Sequence, residues 1–317
     1  MIVKYNKILW ALFFAQIVIA VVTYSYSGLL RGPDEPQMLL ALKKMDIQTL
    51  QIEGPGEKTV SLTKAQNSED WNLPDYGGFP ANSQAVMQLL DRLTNTELGM
   101  QVSKQSESFG RMRVADDNFE RKIVIGGSDE AKTIFFGSAP SLRQAHARLN
   151  GENSVYAVKF APGDIDLEAS DWIKKDILVI DENDIKSIKV GNLRIQRKAA
   201  EEQQDANFKW DVVINDKVIN KADIDEVNNF VKQVADMQID SIGTTEDMTN
   251  VSRKIALSIS VVLKNDENIR YTFSKLKDEE DYLMSTSLRS ESFRLPPLSS
   301  QKLLELSKAD KLINESK

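Results

Sequence analysis

The alternation of apolar and polar residues predicts a β-rich fold from residue 49 onward. Residues 49–53 and 58–63 alternate on either side of Gly54-Pro55-Gly56, which predicts a β-hairpin. Residues 71–73 predict a third short strand. Residues 81–94 then change to helical spacing and predict an amphipathic helix, with Asn82 or Ser83 as its cap and an apolar stripe of Val86, Leu89, Leu90 and Leu93.

Beyond this helix the period returns to two. Residues 121–126 and 132–137 predict a second hairpin. Residues 144–149 and 155–158 predict two more strands, because Asn150-Gly151 between them is a strong turn signal. A helix is the competing interpretation of residues 142–149, but the matching residues 282–286 in the second half of the chain are strand-like.

The same cycle of patterns occurs a second time, starting near Asn183. Residues 46–52 are matched by residues 184–190, and Trp71 is matched by Trp210. The helical stripe returns as Val227, Phe230, Val231 and Val234. Offsets between the copies stay within a few residues of each other, which is typical of a duplicated unit with slightly different loops. We therefore predict an α+β fold of two tandem lobes, each with antiparallel strands and one amphipathic helix.

The resulting domain plan has five parts. We predict a transmembrane anchor at 1–30, a first lobe at 37–163, a connector at 164–180, a second lobe at 181–298 and a C-terminal helix at 299–317. Within the second lobe, the polar residues 199–205 are expected to cross the outer end of its first hairpin.

The N-terminal segment is apolar enough to span a membrane. Ile8 to Leu30 is a stretch of 23 mostly apolar residues, and about 20 suffice for a helix to cross the hydrocarbon. Lys4 and Lys7 precede it, so the N-terminus is expected in the cytoplasm and the bulk of the chain outside. If the host is a Gram-negative bacterium, the bulk of the chain is periplasmic and the anchor lies in the bacterial inner membrane. A cleaved signal peptide is the alternative. Gln16 is a candidate for contact with a partner helix.

Composition excludes several classes of function. The formal net charge is −7, or −9 once Lys4 and Lys7 are set aside, and such a surface repels nucleic acid. The chain has no cysteine and one histidine, His146, which we interpret as an exposed residue on the polar face of its strand, beside Arg148. The acidic run 278–281 lacks the spacing of a calcium loop and is interpreted as solvated. We expect no cofactor, no metal and no catalytic activity.

Candidate interaction residues lie where the two copies differ. Trp71 and Trp210 occur in both copies and are predicted to be core. Trp172 lies in the connector and is a candidate for a wedge between the lobes. The polar stretch 199–207 has no evident packing role, and its Glu201, Glu202 and Gln203 are candidate binding residues.

Three groups of residues form a familiar succession: residues 60–62 lead to 71–73, residues 80–81 lead into 86–93, and residues 136–137 lead to 147–151 and 155–158. In this succession the chain resembles the bacterial family catalogued as Domain of Unknown Function 4340. The second copy departs from it at Trp210-Asp211-Val212 and at Ser292-Phe293-Arg294. The family has no established catalytic residues.

The resemblance also implies a setting. Similar proteins accompany ABC transporters with permeases of the gliding-motility type. We therefore expect a membrane-anchored periplasmic accessory or scaffold protein whose partners are permease or ATPase subunits. A periplasmic module that binds a ligand in the cleft between its lobes is the alternative.

Overall fold

The computed structural model describes residues 13, 15–19, 21–22, 37–127, 130–198, 209–277 and 279–313. Over these ranges the chain is α+β, with two antiparallel sheets of nine strands each and few helices. This confirms the fold class predicted from the alternation of apolar and polar residues. Within the same ranges, no helix is both long and apolar enough to cross a membrane.

The first copy supplies the first nine strands and two helices. Its elements are β1 Ile47–Glu53, β2 Thr59–Lys64, β3 Trp71–Leu73, β4 Phe79–Pro80, helix α1 Ser83–Thr94, β5 Met100–Ser103, helix α2 Phe109–Met112, β6 Arg121–Gly127, β7 Lys132–Phe136, β8 Ala145–Leu149 and β9 Val155–Val158.

The second copy repeats this succession and ends on an additional helix. Its elements are β10 Ile185–Val190, β11 Leu193–Arg197, β12 Trp210–Ile214, β13 Lys217–Val218, helix α3 Ile224–Ala235, β14 Ser241–Ile242, helix α4 Thr245–Asn250, β15 Val251–Leu263, β16 Asn268–Leu276, β17 Tyr282–Thr286, β18 Ser292–Arg294 and helix α5 Pro297–Leu306.

The two sheets have the same strand order. The first runs β4-β3-β2-β1-β6-β7-β8-β9-β5, and adding nine to each number gives the second, β13-β12-β11-β10-β15-β16-β17-β18-β14. Strands β5 and β14 therefore lie at the same end of their sheets. This agreement between the two strand orders supports the duplication seen in the sequence.

The helical stripes form buried faces, as their spacing predicts. Val86, Leu90 and Leu93 of α1 are fully buried, and so is the corresponding stripe of α3, Val227, Phe230, Val231 and Val234. Of the two predicted caps, Asn82 and Ser83, the helix uses Asn82, whose Oδ1 accepts a hydrogen bond from the amide of Ala85 at 3.1 Å. A side-chain oxygen at this place satisfies one of the amides that the first helical turn leaves without a partner.

The paired tryptophans are core residues, as predicted. Trp71 and Trp210 are both buried, and neither indole Nε1 has a hydrogen-bond partner among the described residues. The guanidinium of Arg197 lies over the Trp210 ring, 4.3 Å from its centroid. The buried area of these large side chains accounts for their presence in both copies.

The described residues divide into two compact units. The first comprises the residues up to Ile47 together with Gln88–Ile165, and the second comprises Gln48–Met87 together with the residues from Asp166 onward. In the first unit Phe136 stacks on Phe160 with ring centroids 4.5 Å apart. In the second, Phe79 meets Phe293 edge to face at 5.9 Å.

Two details of the predicted layout are wrong. The first hairpin of the second copy turns tightly at Gly191-Asn192, and residues 199–205 belong to the following connection, between β11 and β12. Arg148, expected on a polar face of β8, is instead buried. Alternation gives the two faces of a strand but does not reveal that a second layer covers one of them.

A small satellite core covers that face. Its buried members are Val114, Phe135 and Val155. The guanidinium of Arg148 lies over the Phe135 ring at 4.4 Å and donates from Nε to the carbonyl oxygen of Val114 at 2.7 Å. It also forms an ion pair with Asp116. The charge is thus buried only because its hydrogen bonds are satisfied.

Candidate functional site

Trp172 is a buried anchor of the connector within the second unit. Its Nε1 donates to the carbonyl oxygen of Asp166 at 3.1 Å, and its own carbonyl oxygen accepts from the amide of Asn82 at 2.7 Å. The next residue, Ile173, forms a β-bridge with Ala81. These contacts tie the connector to the start of α1 and leave little of the indole exposed for a ligand.

The other candidate interaction residues give less information. Gln16 lies in a helical stretch and is exposed. Glu201, Glu202 and Gln203 lie outside the described residues, as does the rest of the polar stretch 199–207.

His146 is half-buried rather than freely exposed. Its Nδ1 lies 3.1 Å from the hydroxyl of Ser138, and burial lowers the pKa of the imidazole. Over the described ranges no group of three or more histidine or carboxylate side chains is arranged to hold a metal ion.

The most organised polar feature is a groove beside β14, in the second unit. We call it the β14 groove. It has a volume of about 430 Å³ and its charged lining residues are Glu168, Glu246, Asp247, Glu279 and Arg294, with Tyr76 and Ile242 among the apolar ones. Four carboxylates against one guanidinium make this lining strongly acidic.

Arg294 is the centre of the charge network in this groove. Its guanidinium forms an ion pair with Asp247, in which Nε donates to Oδ1 at 3.2 Å, and it donates from Nη1 to Glu279 at 2.7 Å. Asp281 lies 3.6 Å from the same Nη1. Glu279 and Asp281 of the acidic run therefore pair with Arg294, while Glu279 and Glu280 remain exposed, in keeping with the interpretation of this run as solvated.

The local sequence explains how Asp247 is held. Thr244 and Asp247 form a capping box at the start of α4: the Asp247 amide donates to the Thr244 hydroxyl at 3.1 Å, and the Thr244 amide donates to Asp247 Oδ2 at 2.8 Å. One carboxylate oxygen thus caps the helix while the other faces Arg294. This double role fixes the side chain in a single orientation.

Both partners of the ion pair remain charged at neutral pH. The hydrogen bond from Arg294 is the largest cause that lowers the pKa of the Asp247 carboxyl, and the same bond raises the pKa of Arg294. A general acid or base needs a pKa near the working pH. This pair therefore suits electrostatic recognition and rigid positioning better than proton transfer.

A second groove lies beside β5, in the first unit. We call it the β5 groove. It has a volume of about 1160 Å³, and its lining includes Met100, Leu142, Arg143, Lys159 and Arg92. Arg92 lies over the Phe160 ring and 3.6 Å from Asp164. The β5 groove is thus flanked by apolar side chains and by cations.

The two grooves occupy corresponding places in the two copies. Met100 pairs with Ala157 in the first sheet, and Ser241 pairs with Arg294 in the second. The two copies match at an offset of 141 residues around α1 and of 137 residues around β7 to β9, which aligns Met100 with Ser241, Ala157 with Arg294 and Leu142 with Glu279. At all three positions an apolar residue of the first copy is replaced by a polar or charged residue in the second.

Sequence reasoning missed the Arg294 network, although a signal was present. The late strand of the second copy reads Ser292-Phe293-Arg294, where the first copy has Val155-Tyr156-Ala157. A charged residue at a position that is small and apolar in the other copy requires a partner. That partner, Asp247, lies 47 residues away, so spacing alone could not identify it.

Comparison with known proteins agrees with this description. The chain belongs to the family described as Domain of unknown function (DUF4340), whose model matches residues 71–254. The match extends from β3 of the first copy into β15 of the second. No curated protein and no solved structure matches the chain.

Proposed function

We propose that this protein is a non-catalytic, membrane-anchored accessory or scaffold component of an ABC-type transport system. In this proposal the apolar segment from Ile8 to Leu30 is a single transmembrane helix, the N-terminus is cytoplasmic and the two repeated sheets are periplasmic. The β14 groove binds a basic segment of a permease or ATPase-associated subunit.

The observation that carries the proposal is a difference in lining between two grooves. The β5 groove and the β14 groove occupy corresponding places in sheets of the same strand order, yet their lining residues differ in chemistry. An active site that was duplicated and kept would retain its reacting groups in at least one copy. Here the shared positions change from Met100, Ala157 and Leu142 to Ser241, Arg294 and Glu279, which changes the surface that a partner meets. Such a change suits two copies that recognise different partners.

The chemistry of the β14 groove favours a protein segment as its ligand. Arg294 is occupied by carboxylates of its own chain, so it is not free to bind an anionic substrate. Glu246 is exposed and makes no ion pair with any described residue. An edge strand, β14, lies beside these charges, and an edge strand with nearby charges suits an extended basic peptide.

Affinity purification of the full-length protein from detergent-solubilised membranes tests the proposal. We expect wild-type protein to recover a multi-span permease subunit, an ATPase subunit or both. Glu246→Lys reverses a charge of the β14 groove and is expected to reduce the recovery several-fold, with a smaller effect at high salt.

Glu152→Lys is the matched control. It makes the same change of charge at an exposed turn residue outside both grooves, and we expect it to leave recovery unchanged. Recovery of the protein alone, or an equal loss with Glu152→Lys, would refute the proposed recognition through the β14 groove.

A further inference from the structure

The β5 groove combines exposed apolar side chains with two cations that form no ion pair with any described residue. Met100 is 75% exposed and Leu142 is 90% exposed. Arg143 and Lys159, also in the lining, are exposed and form no ion pair within the described residues. Large apolar side chains left in water beside unpaired cations indicate a surface that meets something else.

The chain enters the folded part at this groove. The amide of Leu98 donates to the carbonyl oxygen of Gln37 at 2.7 Å, and the amide of Leu39 donates to the carbonyl oxygen of Thr96 at 2.7 Å. Met38 forms a β-bridge with Glu97. Thr96, Glu97 and Leu98 all line the β5 groove. Residues 37–39, where the folded part begins, are thus fixed on the wall of this groove.

The linker between the predicted anchor and the first lobe, residues 31–36, bounds how far this wall lies from the anchor. Six residues separate Leu30, the end of the apolar segment, from Gln37, so seven backbone steps join the two. A chain spans at most about 3.3–3.6 Å per residue, so Gln37 lies within about 25 Å of Leu30 whatever the linker's conformation. A groove tethered this closely to an anchor is held near the headgroups of the bilayer in which the anchor sits.

We propose that the β5 groove rests on the outer surface of that bilayer. Met100 and Leu142 enter the headgroup region, and Arg143 and Lys159 contact the lipid phosphates. Apolar and basic side chains are the combination by which peripheral surfaces bind a membrane. The inference rests on the membrane anchor of the proposed function, because the net charge of −7 would otherwise keep the chain away from anionic lipid.

The absence of native cysteine makes a direct test straightforward. Full-length Leu142→Cys carries a single environment-sensitive fluorophore and is reconstituted into vesicles of phosphatidylethanolamine and phosphatidylglycerol. We expect the emission to shift to the blue and to be quenched by lipid that carries a nitroxide in its acyl chain. Leu298→Cys is the matched control, because Leu298 is also a leucine, is 81% exposed and lies outside the β5 groove.

A second variant tests the cations. Arg143→Glu combined with Lys159→Glu is expected to lower the quenching at position 142 towards that of the control. Unchanged quenching would refute the role of the phosphates. Quenching no greater at 142 than at 298, in protein that resists carbonate extraction from the vesicles, would overturn the inference while leaving the anchor intact. A blue shift without quenching by lipid would overturn it in favour of burial against protein. Release of the protein by carbonate would instead refute the anchor and with it the proposed function.

Discussion

The ion pair between Asp247 and Arg294 makes a sharp prediction about stability. The Asp247 side chain is 6% exposed and that of Arg294 is 26% exposed, so the pair is largely removed from water. Asp247→Asn keeps the shape of the side chain and an oxygen that can cap α4, but it removes the charge. Asp247→Ala removes both the charge and the half of the capping box that accepts from the Thr244 amide.

The expected magnitudes follow from what each variant loses. Removing one partner of a fully buried pair costs about 3–5 kcal/mol. Here Arg294 keeps some water and the carboxylate of Glu279, so we expect Asp247→Asn to lower the free energy of unfolding by about 2 kcal/mol. Asp247→Ala also loses the capping hydrogen bond from the Thr244 amide. This loss adds about 1 kcal/mol, which gives about 3 kcal/mol for Asp247→Ala.

Urea unfolding of the two variants and the wild type, followed by circular dichroism at several pH values, measures these losses. Because the pKa of Asp247 is lowered in the folded protein, its contribution is fully present above the unfolded pKa of about 4 and is lost as pH falls through the folded pKa. The difference between wild type and Asp247→Asn should therefore be constant from pH 7 to about pH 5 and shrink below about pH 4.

The control is Glu279→Gln, which removes a more exposed partner of the same guanidinium. Since exposed ion pairs contribute at most about 1 kcal/mol, its loss should be well below that of Asp247→Asn. A loss of less than about 0.5 kcal/mol for Asp247→Asn, or one that does not change with pH, would refute this reasoning. It would show that the desolvation cost of the ion pair cancels its attraction, so that Asp247 does not stabilise the fold by pairing with Arg294.

Four further variants test the packing by urea unfolding. Gly99→Ala should destabilise by more than about 2 kcal/mol and loosen β5, because a Cβ there would overlap the carbonyl oxygen of Ala157; Gly151→Ala, with open space but a φ of +79°, should cost only about 1–2 kcal/mol. Arg148→Met should cost about 2–4 kcal/mol, and a neutral result would contradict the satellite core described above. Tyr271→Phe removes a buried hydroxyl that has no partner among the described residues, so stability should be unchanged or rise, and a clear loss would indicate a bridging water.

The fold was largely predictable because its signals are local and periodic. The stripe of α3 and the hairpin of β1 and β2 each occupy a short window of sequence, and both were predicted. The edge strands β5 and β14 were missed because they have four and two residues, too few to show a period. Burial of Arg148 was missed for a different reason, since the cover over β8 comes from α2 and the residues around Val114.

The grooves were harder to predict than the fold because they depend on contacts between distant segments. Glu279 was interpreted as part of a solvated acidic run, which is the usual state of such a run. It is exposed, but it also pairs with Arg294 on β18, 15 residues further along the chain, and the sequence pattern did not indicate this contact. Trp172 was singled out as an unusual residue in the connector, yet hydrogen bonds to Asp166 and Asn82 give it a structural role. Composition identifies such residues, but only tertiary contacts assign their role.

The comparison between the copies explains why recognition, rather than core structure, is expected to differ between them. Residues that face the core keep their character, as Trp71 and Trp210 do, because both sheets have the same order and must fill the same space. Positions on the groove rims are free of that constraint. Arg294 carries a charge where the first copy has Ala157, and Asp247 of α4 pairs with it. The two copies thus differ both at this groove position and at the residue that pairs with it, which is the pattern expected of two different binding surfaces.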